Sequence, residues 1–362
     1  MSRLVALALA GGVLAVPLSA RAQLGINVYG DIGYQAEHAT NPGRTANAFT
    51  ASRLELFLQE TQGRLAFLAE TMFEVGGENA FGVENEFGVD IERVEVAYLF
   101  SDYFRVRAGR FHTAIGYYND AYHHGRYFQT TVDRPEMVRF EDEGGLIPAH
   151  SVGLHLDGRL PIGRAGSLRY DADLANGRGN TPDEVTNLND PNNAKAYNLR
   201  LRIEPAFADG LIVGGNIYID AINARDAQTP AAPAIRVDEL ILGAHLVYLE
   251  HNVHLITEYL RVSHKVAATG YSGVTQAAFL EIGYVFGPLT PYARVQRVSF
   301  PSTLDLFYAQ NVFGILGSFY ASVAGLRFEM SDYLAFKLEG GYTSLTSGSK
   351  ITTGAAQCAF AF

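Results

Sequence analysis

The sequence predicts an all-β fold, a transmembrane antiparallel β-barrel of about sixteen strands. Three observations predict it. Apolar and polar residues alternate at period two along most of the 362 residues. Turn-forming clusters interrupt that alternation, and the connections they make are by turns short and long. The composition combines 37 Gly, 20 Tyr and 22 Phe with a mean hydropathy of only +0.03. A barrel accounts for this mixture, because half of each strand faces lipid and half faces water.

The first strand runs from Gly25 to Ala36, with Ile26, Val28, Ile32 and Tyr34 on one face and Asn27, Tyr29, Asp31 and Gln35 on the other. The second, Phe49 to Glu60, turns Leu54, Leu56 and Leu58 outward and Arg53, Glu55 and Gln59 inward. After a short turn at Thr61 to Gly63, the third strand spans Arg64 to Val75. A Gly-rich acidic segment then leads to the fourth, Val89 to Phe100, which carries Arg93 and Glu95 on its inner face. The fifth, Tyr103 to Phe111, puts Phe104, Val106 and Ala108 outward and Arg105 and Arg107 inward. A loop of about 38 residues follows, a length that is normally functional or disordered. The sixth strand is His150 to Leu160. Strands at Leu168–Ala175, Ala196–Glu204, Leu211–Asp220, Arg236–Tyr248 and Val253–Val262 continue the rhythm. Ala277–Phe286, Thr290–Val298, Ser318–Phe328, Tyr333–Tyr342 and Ile351–Phe362 complete sixteen. An even count returns both termini to one side. A soluble β-sandwich or propeller is the alternative, but its strands are usually shorter and its turns do not alternate in length.

Closure is a physical requirement, since an open sheet edge in lipid leaves backbone N–H and C=O groups unpaired at several kcal/mol each. Sixteen strands enclose a lumen wide enough for water. With no Trp in the chain, Tyr and Phe must form the aromatic belts, among them Tyr98, Phe104, Tyr284, Tyr333 and Phe362.

The N-terminus carries Arg3, an apolar run from Leu4 to Leu18, and Ala20-Arg-Ala22 before Gln23. This is the pattern of a cleaved secretory signal peptide over residues 1–22, with the barrel in 23–362; an uncleaved anchor is the alternative. Loss of Arg3 and Arg21 takes the formal charge from −10 to −12, which argues against a nucleic-acid partner. The lone Cys358 makes no internal disulfide.

The last strand, Gly354-Ala-Ala-Gln-Cys-Ala-Phe-Ala-Phe362, resembles the C-terminal strand of bacterial outer-membrane barrels. In those proteins this strand is read by the barrel-assembly machinery. The resemblance implies that Phe360 and Phe362 form the assembly signal and that the chain is exported through the periplasm to the Gram-negative outer membrane. Its partners would be the assembly machinery, outer-membrane lipid and lipopolysaccharide.

Within that group, Ala108-Gly-Arg-Phe-His-Thr-Ala-Ile-Gly-Tyr-Tyr-Asn119 resembles the phosphate-selective porin O and P family, in which a Gly-Arg/Gln-Phe strand end opens the third loop. Thr113-Ala-Ile-Gly116 stands where that family has Pro-Phe-Gly. Gly144-Gly-Leu-Ile-Pro-Ala-His-Ser-Val-Gly-Leu-His-Leu-Asp-Gly158 is similar to the family's return into strand six. The resemblance implies a water-filled channel for passive diffusion of small hydrophilic solutes or ions. It also implies a homotrimer, a third loop folded into each pore, and anions such as phosphate as cargo. The family's lysine cluster is missing: only Lys195, Lys265, Lys337 and Lys350 occur, with no run along a predicted pore wall.

Inward positions carry charges of both signs, and rings of charge set ion preference in pores. Wall residues Arg53, Arg93, Arg105 and Arg107 lie on strands two, four and five. The long loop offers Glu136, Glu141, Asp142 and Glu143 beside Arg126, Arg134 and Arg139. One expectation is an eyelet in which these acids face the wall arginines across a narrow gap. The other is arginine–carboxylate pairing that stiffens the wall and pins the loop. His123-His124, with His112 and His150 at the loop's ends, is a candidate transition-metal set. Adjacent histidines seldom both reach one ion, so no metal and no cofactor is expected. The acidic repeat from Phe81 to Asp90 is a candidate Ca²⁺ loop, but it lacks EF-hand spacing and is expected to be a solvated loop. No Ser/His/Asn or Asp/His constellation marks an enzyme. A structural sheath around a partner chain is the alternative to a conducting channel.

Overall fold

The computed structural model describes residues 24–362 apart from 42, 76–86, 124, 141–142, 185–189, 191, 226–231, 304–306 and 311–316. The proposed signal peptide, His124, Glu141, Asp142 and most of the acidic repeat therefore lie outside the described residues.

Sixteen strands form one sheet: β1 (Gly25–Thr40), β2 (Gly43–Gln62), β3 (Leu65–Val75), β4 (Phe87–Ser101), β5 (Phe104–His112) and β6 (His150–Pro161) come first. They are followed by β7 (Gly166–Asn176), β8 (Lys195–Pro205), β9 (Leu211–Ala224), β10 (Ile235–Tyr248) and β11 (Val253–Val266). The set ends with β12 (Tyr271–Tyr284), β13 (Leu289–Ser299), β14 (Phe319–Ser331), β15 (Leu334–Leu345) and β16 (Lys350–Ala361). Each strand pairs antiparallel with its sequence neighbours, and β1 pairs with β16, so the barrel is closed.

Period-two patterning becomes two chemically distinct faces. Outward positions such as Ile26, Ile32, Val96, Leu201, Val295 and Leu338 are exposed and apolar. Inward positions include the buried Asp31, Glu55, Glu95, Asp171, Arg200, Glu258, Glu281 and Arg294. This is the reverse of a soluble core and suits a lipid surround. The termini lie at the end with the short connections, where exposed Tyr98, Phe100, Tyr103, Phe104, Tyr284, Phe286, Tyr333 and Phe362 form the aromatic belt.

Several strands outrun their apolar alternation. The sequence places a loop between Ala36 and Phe49, whereas β1 and β2 pair as far as Thr40 and Gly43. Likewise β11 and β12 pair to Val266 and Tyr271. The alternation marks the lipid-contacting span only; beyond it polar residues continue the ladder, as where His38 Nδ1 meets Thr45 Oγ1 at 2.9 Å. A second difference concerns the inner face. On β9 to β12 many inner positions are apolar, with Tyr218, Ile222, Ile241, Ile256, Leu260 and Phe279 buried. These residues pack with Ile115, Met137, Val138, Leu146 and Ile147 of the long loop instead of facing water.

Candidate functional site

The loop 113–149 enters the lumen because its first residues are claimed by wall side chains. Thr113 N–H donates to Ala149 O at 2.9 Å, extending the β5–β6 ladder by one rung. From there the chain leaves the wall. Asn198 donates to Ala114 O (3.0 Å), and Asn216 accepts from Gly116 N–H (3.1 Å). Arg200 donates to Gly116 O (2.7 Å), and Glu258 accepts from the N–H groups of Tyr117 (3.0 Å) and Tyr118 (2.5 Å). Gly116 has φ +68°, and a Cβ there would lie 2.1 Å from Glu258 Oε2, so glycine alone lets the backbone come this close to the carboxylate. A single helical turn follows, α1 (Tyr118–Ala121).

The loop then crosses to the opposite wall. Arg327 donates to Gln129 O (2.9 Å), and Lys337 donates to Arg126 O (2.6 Å) and Thr131 O (2.8 Å). Arg294 donates to Thr131 Oγ1 (2.8 Å), Asp133 O (2.9 Å) and Arg134 O (3.1 Å). Gln296 accepts from Glu136 N–H at 2.9 Å. The loop is therefore tied to β8, β9 and β11 on one side and to β13, β14 and β15 on the other, and it narrows the lumen from wall to wall.

The charged residues singled out from the sequence occupy three settings. Arg53 of β2 pairs directly with Glu143 of the loop, and Arg53 also lies over the Phe140 ring at 5.0 Å. Within the loop Arg126 pairs with Asp133 (2.8 Å) and Arg139 with Glu136 (2.7 Å). Arg134 is buried over Phe140 at 4.4 Å and donates to Asn119 Oδ1 at 3.3 Å. Burial disfavours the Glu143 carboxylate, yet the guanidiniums of Arg53, Arg139, Arg126 and Arg134 hold its pKa below the ordinary value. Burial wins at Glu136, whose pKa is raised despite Arg139 and Arg294.

Arg93, Arg105 and Arg107 pair with strand acids. Arg93 pairs with Glu70 of β3. Arg105 and Arg107 both bond Asp157 of β6, at 2.8 and 3.0 Å, and Arg107 approaches Glu95 at 3.6 Å. Sequence reasoning missed Arg159, which follows Asp157 on the same face of β6, and Asp133, whose place beside Arg126 depends on how the loop folds.

Two charged spaces flank the loop. Toward the long connections a water-accessible space of about 290 Å³ is lined by Glu37, Arg44, Asp133, Glu136, Arg139 and Arg294. Toward the short turns, Arg105, Arg159 and Arg169 are 39%, 58% and 44% exposed, whereas their partners Asp157 and Glu204 are only 15% and 18% exposed. In each of these pairs the guanidinium is the group that meets solvent.

The sequence matches no family profile and no curated protein. The fold has solved counterparts. The anion-selective porin from Comamonas acidovorans superposes with a TM-score of 0.60 at 13% identity, over 94% of this chain and 100% of that one. The trimer form of OmpT, an outer-membrane protein of Vibrio cholerae, gives 0.58 at 10% identity over 94% and 99%. The outer-membrane channel DcaP of Acinetobacter baumannii gives 0.57 at 11% over 94% and 97%. The chain shares the barrel fold of these outer-membrane proteins.

Proposed function

We propose that this chain is an outer-membrane porin, cleaved of residues 1–22, that passes small hydrophilic solutes by passive diffusion and favours anions. The observation that carries the anion preference is the asymmetry of exposure: Arg105, Arg159 and Arg169 present more surface to the lumen than the carboxylates they pair with. A solute passing the short-turn ends of β5 to β7 thus meets guanidiniums before their carboxylates, and charged walls of low dielectric focus that field. Likeness to the Comamonas acidovorans anion-selective porin supports the same reading. A trimer is part of the proposal, supported by the likeness to the OmpT trimer form.

Single-channel recording in planar bilayers tests it. Reversal potentials across a potassium chloride gradient are expected to report anion selectivity, and the Arg105→Ala/Arg159→Ala/Arg169→Ala variant to reduce it. Cation selectivity in the wild type would overturn the anion reading. Near-zero current through a correctly folded barrel would favour a sheath around a partner chain. Phosphate in place of chloride asks whether the narrower phosphate preference survives without a lysine cluster.

A further inference from the structure

The turn that carries the loop out of β5 and back into β6 gathers three histidines. His112, the last residue of β5, and His150, the first of β6, sit directly opposite each other in the ladder. His123 reaches the same point from the loop. One ring nitrogen from each of the three lies within 4.8 Å of the other two, and all three side chains are buried. The imidazole centroids are 3.8 Å apart for His112 and His123, 4.4 Å for His123 and His150, and 5.3 Å for His112 and His150.

The surroundings orient the rings. The Asn119 amide nitrogen donates to Thr113 O (3.0 Å) and Ala149 O (3.1 Å), so its Oδ1 is an acceptor. His123 Nδ1 stands 3.0 Å from that oxygen, and in the tautomer that donates to it the Nε2 lone pair is the metal-binding face. Arg134 approaches the Nδ1 side of the ring, at 3.3 Å, away from Nε2. Behind the other two rings stand buried carboxylates: Glu92 Oε2 is 2.8 Å from His150 Nε2, and Glu70 Oε2 is 3.9 Å from His112 Nε2. A carboxylate as near as Glu92 fixes the tautomer of a ligating imidazole and raises its basicity, whereas Glu70 at 3.9 Å acts on His112 through its charge alone.

We propose that His112, His123 and His150 bind one divalent late first-row transition ion, zinc in character, which clamps the constriction loop to the β5–β6 wall. Three imidazoles are a ligand set for zinc, with a fourth position left for water or a carboxylate. Zn–N bonds of about 2.1 Å place tetrahedral ligand atoms roughly 3.4 Å apart, so side-chain adjustments of about an ångström complete the site. Glu92 would offset part of the ion's charge, Glu70 being shared with Arg93, in a setting where an unbalanced dication is costly. The objection that His123 and His124 cannot both reach one ion does not apply, because the strand ends supply the other two ligands.

The test uses the untagged barrel, stripped with chelator and titrated calorimetrically with Zn²⁺, and separately with Co²⁺ while visible ligand-field bands are recorded. About one ion per protomer is expected. His123→Ala should weaken binding by more than about 100-fold, and Glu92→Gln by about 10- to 100-fold. His38→Ala, at an exposed site on β1, should bind as the wild type does. X-ray absorption of the zinc-loaded wild type should show three imidazoles, which decides the matter even if a variant fails to fold. Stoichiometry below about a tenth of an ion, zinc without imidazole ligands, or undiminished binding by folded His123→Ala would overturn the proposal.

Discussion

At the scale of single residues, what matters is how closely a side chain's partners are set by its position. Arg53 and Glu143 illustrate this. Their side chains are 10% and 16% exposed, so the pair is largely withdrawn from water and breaking it by removing one partner costs about 3–5 kcal/mol. Because the Glu143 pKa is depressed in the folded protein, its contribution is present above the ordinary carboxylate value of about 4.3 and is lost as pH falls through the lowered folded value. Selectivity measured from pH 7 down to pH 5 should therefore show no step from Glu143. In Arg53→Ala the step should move to higher pH, and identical profiles for the two proteins would remove this pair from the account. Gly109 makes a steric prediction. It adopts φ +137°, and a Cβ there would lie 2.0 Å from Val94 O. Gly109→Ala should destabilise the β4–β5 pairing by about 1–3 kcal/mol, visible as a lower yield of heat-resistant folded barrel. The Ala108-Gly-Arg stretch was legible as a motif in the sequence; its reason, a backbone carbonyl where a methyl would go, was not.

At the scale of elements, strands and loop differ in how much their sequence says. Faces were readable because lipid on one side imposes period two, and Arg53, Arg93, Arg105, Arg107, Arg200 and Arg294 all lie on the inner face as the alternation requires. Their partners were not readable, because partners depend on register between strands. Arg105 meets Asp157 only because the β5–β6 ladder sets those two positions opposite each other, and the same ladder brings His112 to His150 across an intervening 37 residues. The path of the loop is less legible still. It is set by scattered wall groups such as Glu258, Arg294 and Lys337, each ordinary by itself in sequence. Arg294 is the strongest single anchor on the far wall, holding three loop oxygens while it pairs with Glu281 at 3.2 Å. Arg294→Ala should loosen residues 131–134 while leaving the strand ladders intact. The expected result is larger and noisier single-channel current with unchanged heat resistance of the barrel. Current at the wild-type level and noise would show that the remaining ties, from Lys337, Gln296 and Arg327, are enough to hold the loop.

At the scale of the whole molecule, the decisive contact is the one that closes the ring. Val28 N–H donates to Phe362 O at 2.6 Å and Phe362 N–H to Val28 O at 2.8 Å, so the last residue of the chain completes the β1–β16 seam. The residue is 69% exposed, and its ring stacks on Tyr333, with centroids 6.0 Å apart and planes 3° from parallel. Phe360 fills the space above Gly30, where a Cβ would come within 2.5 Å of its ring. The period-two alternation through Ala356, Cys358 and Phe360 puts Phe362 on the same face as these residues. Its energetic weight in the finished barrel is small. Two hydrogen bonds at about 0.5–1.5 kcal/mol each, with one aromatic contact, are minor beside ladders that close through sixteen strands. Its weight during assembly is larger, since until the seam forms both β1 and β16 present open edges that lipid penalises. Deleting Phe362 should therefore lower the amount of barrel inserted in cells by several-fold. The channels that do form should keep wild-type conductance, because the narrowing lies at loop 113–149 and not at the seam. Quantifying folded barrel by its heat-modifiable migration, alongside bilayer recordings of the purified truncation, separates the two effects. Normal insertion of the truncated chain would show that closure is driven by the ladder from Tyr29 to Ala39 without help from the terminal aromatic.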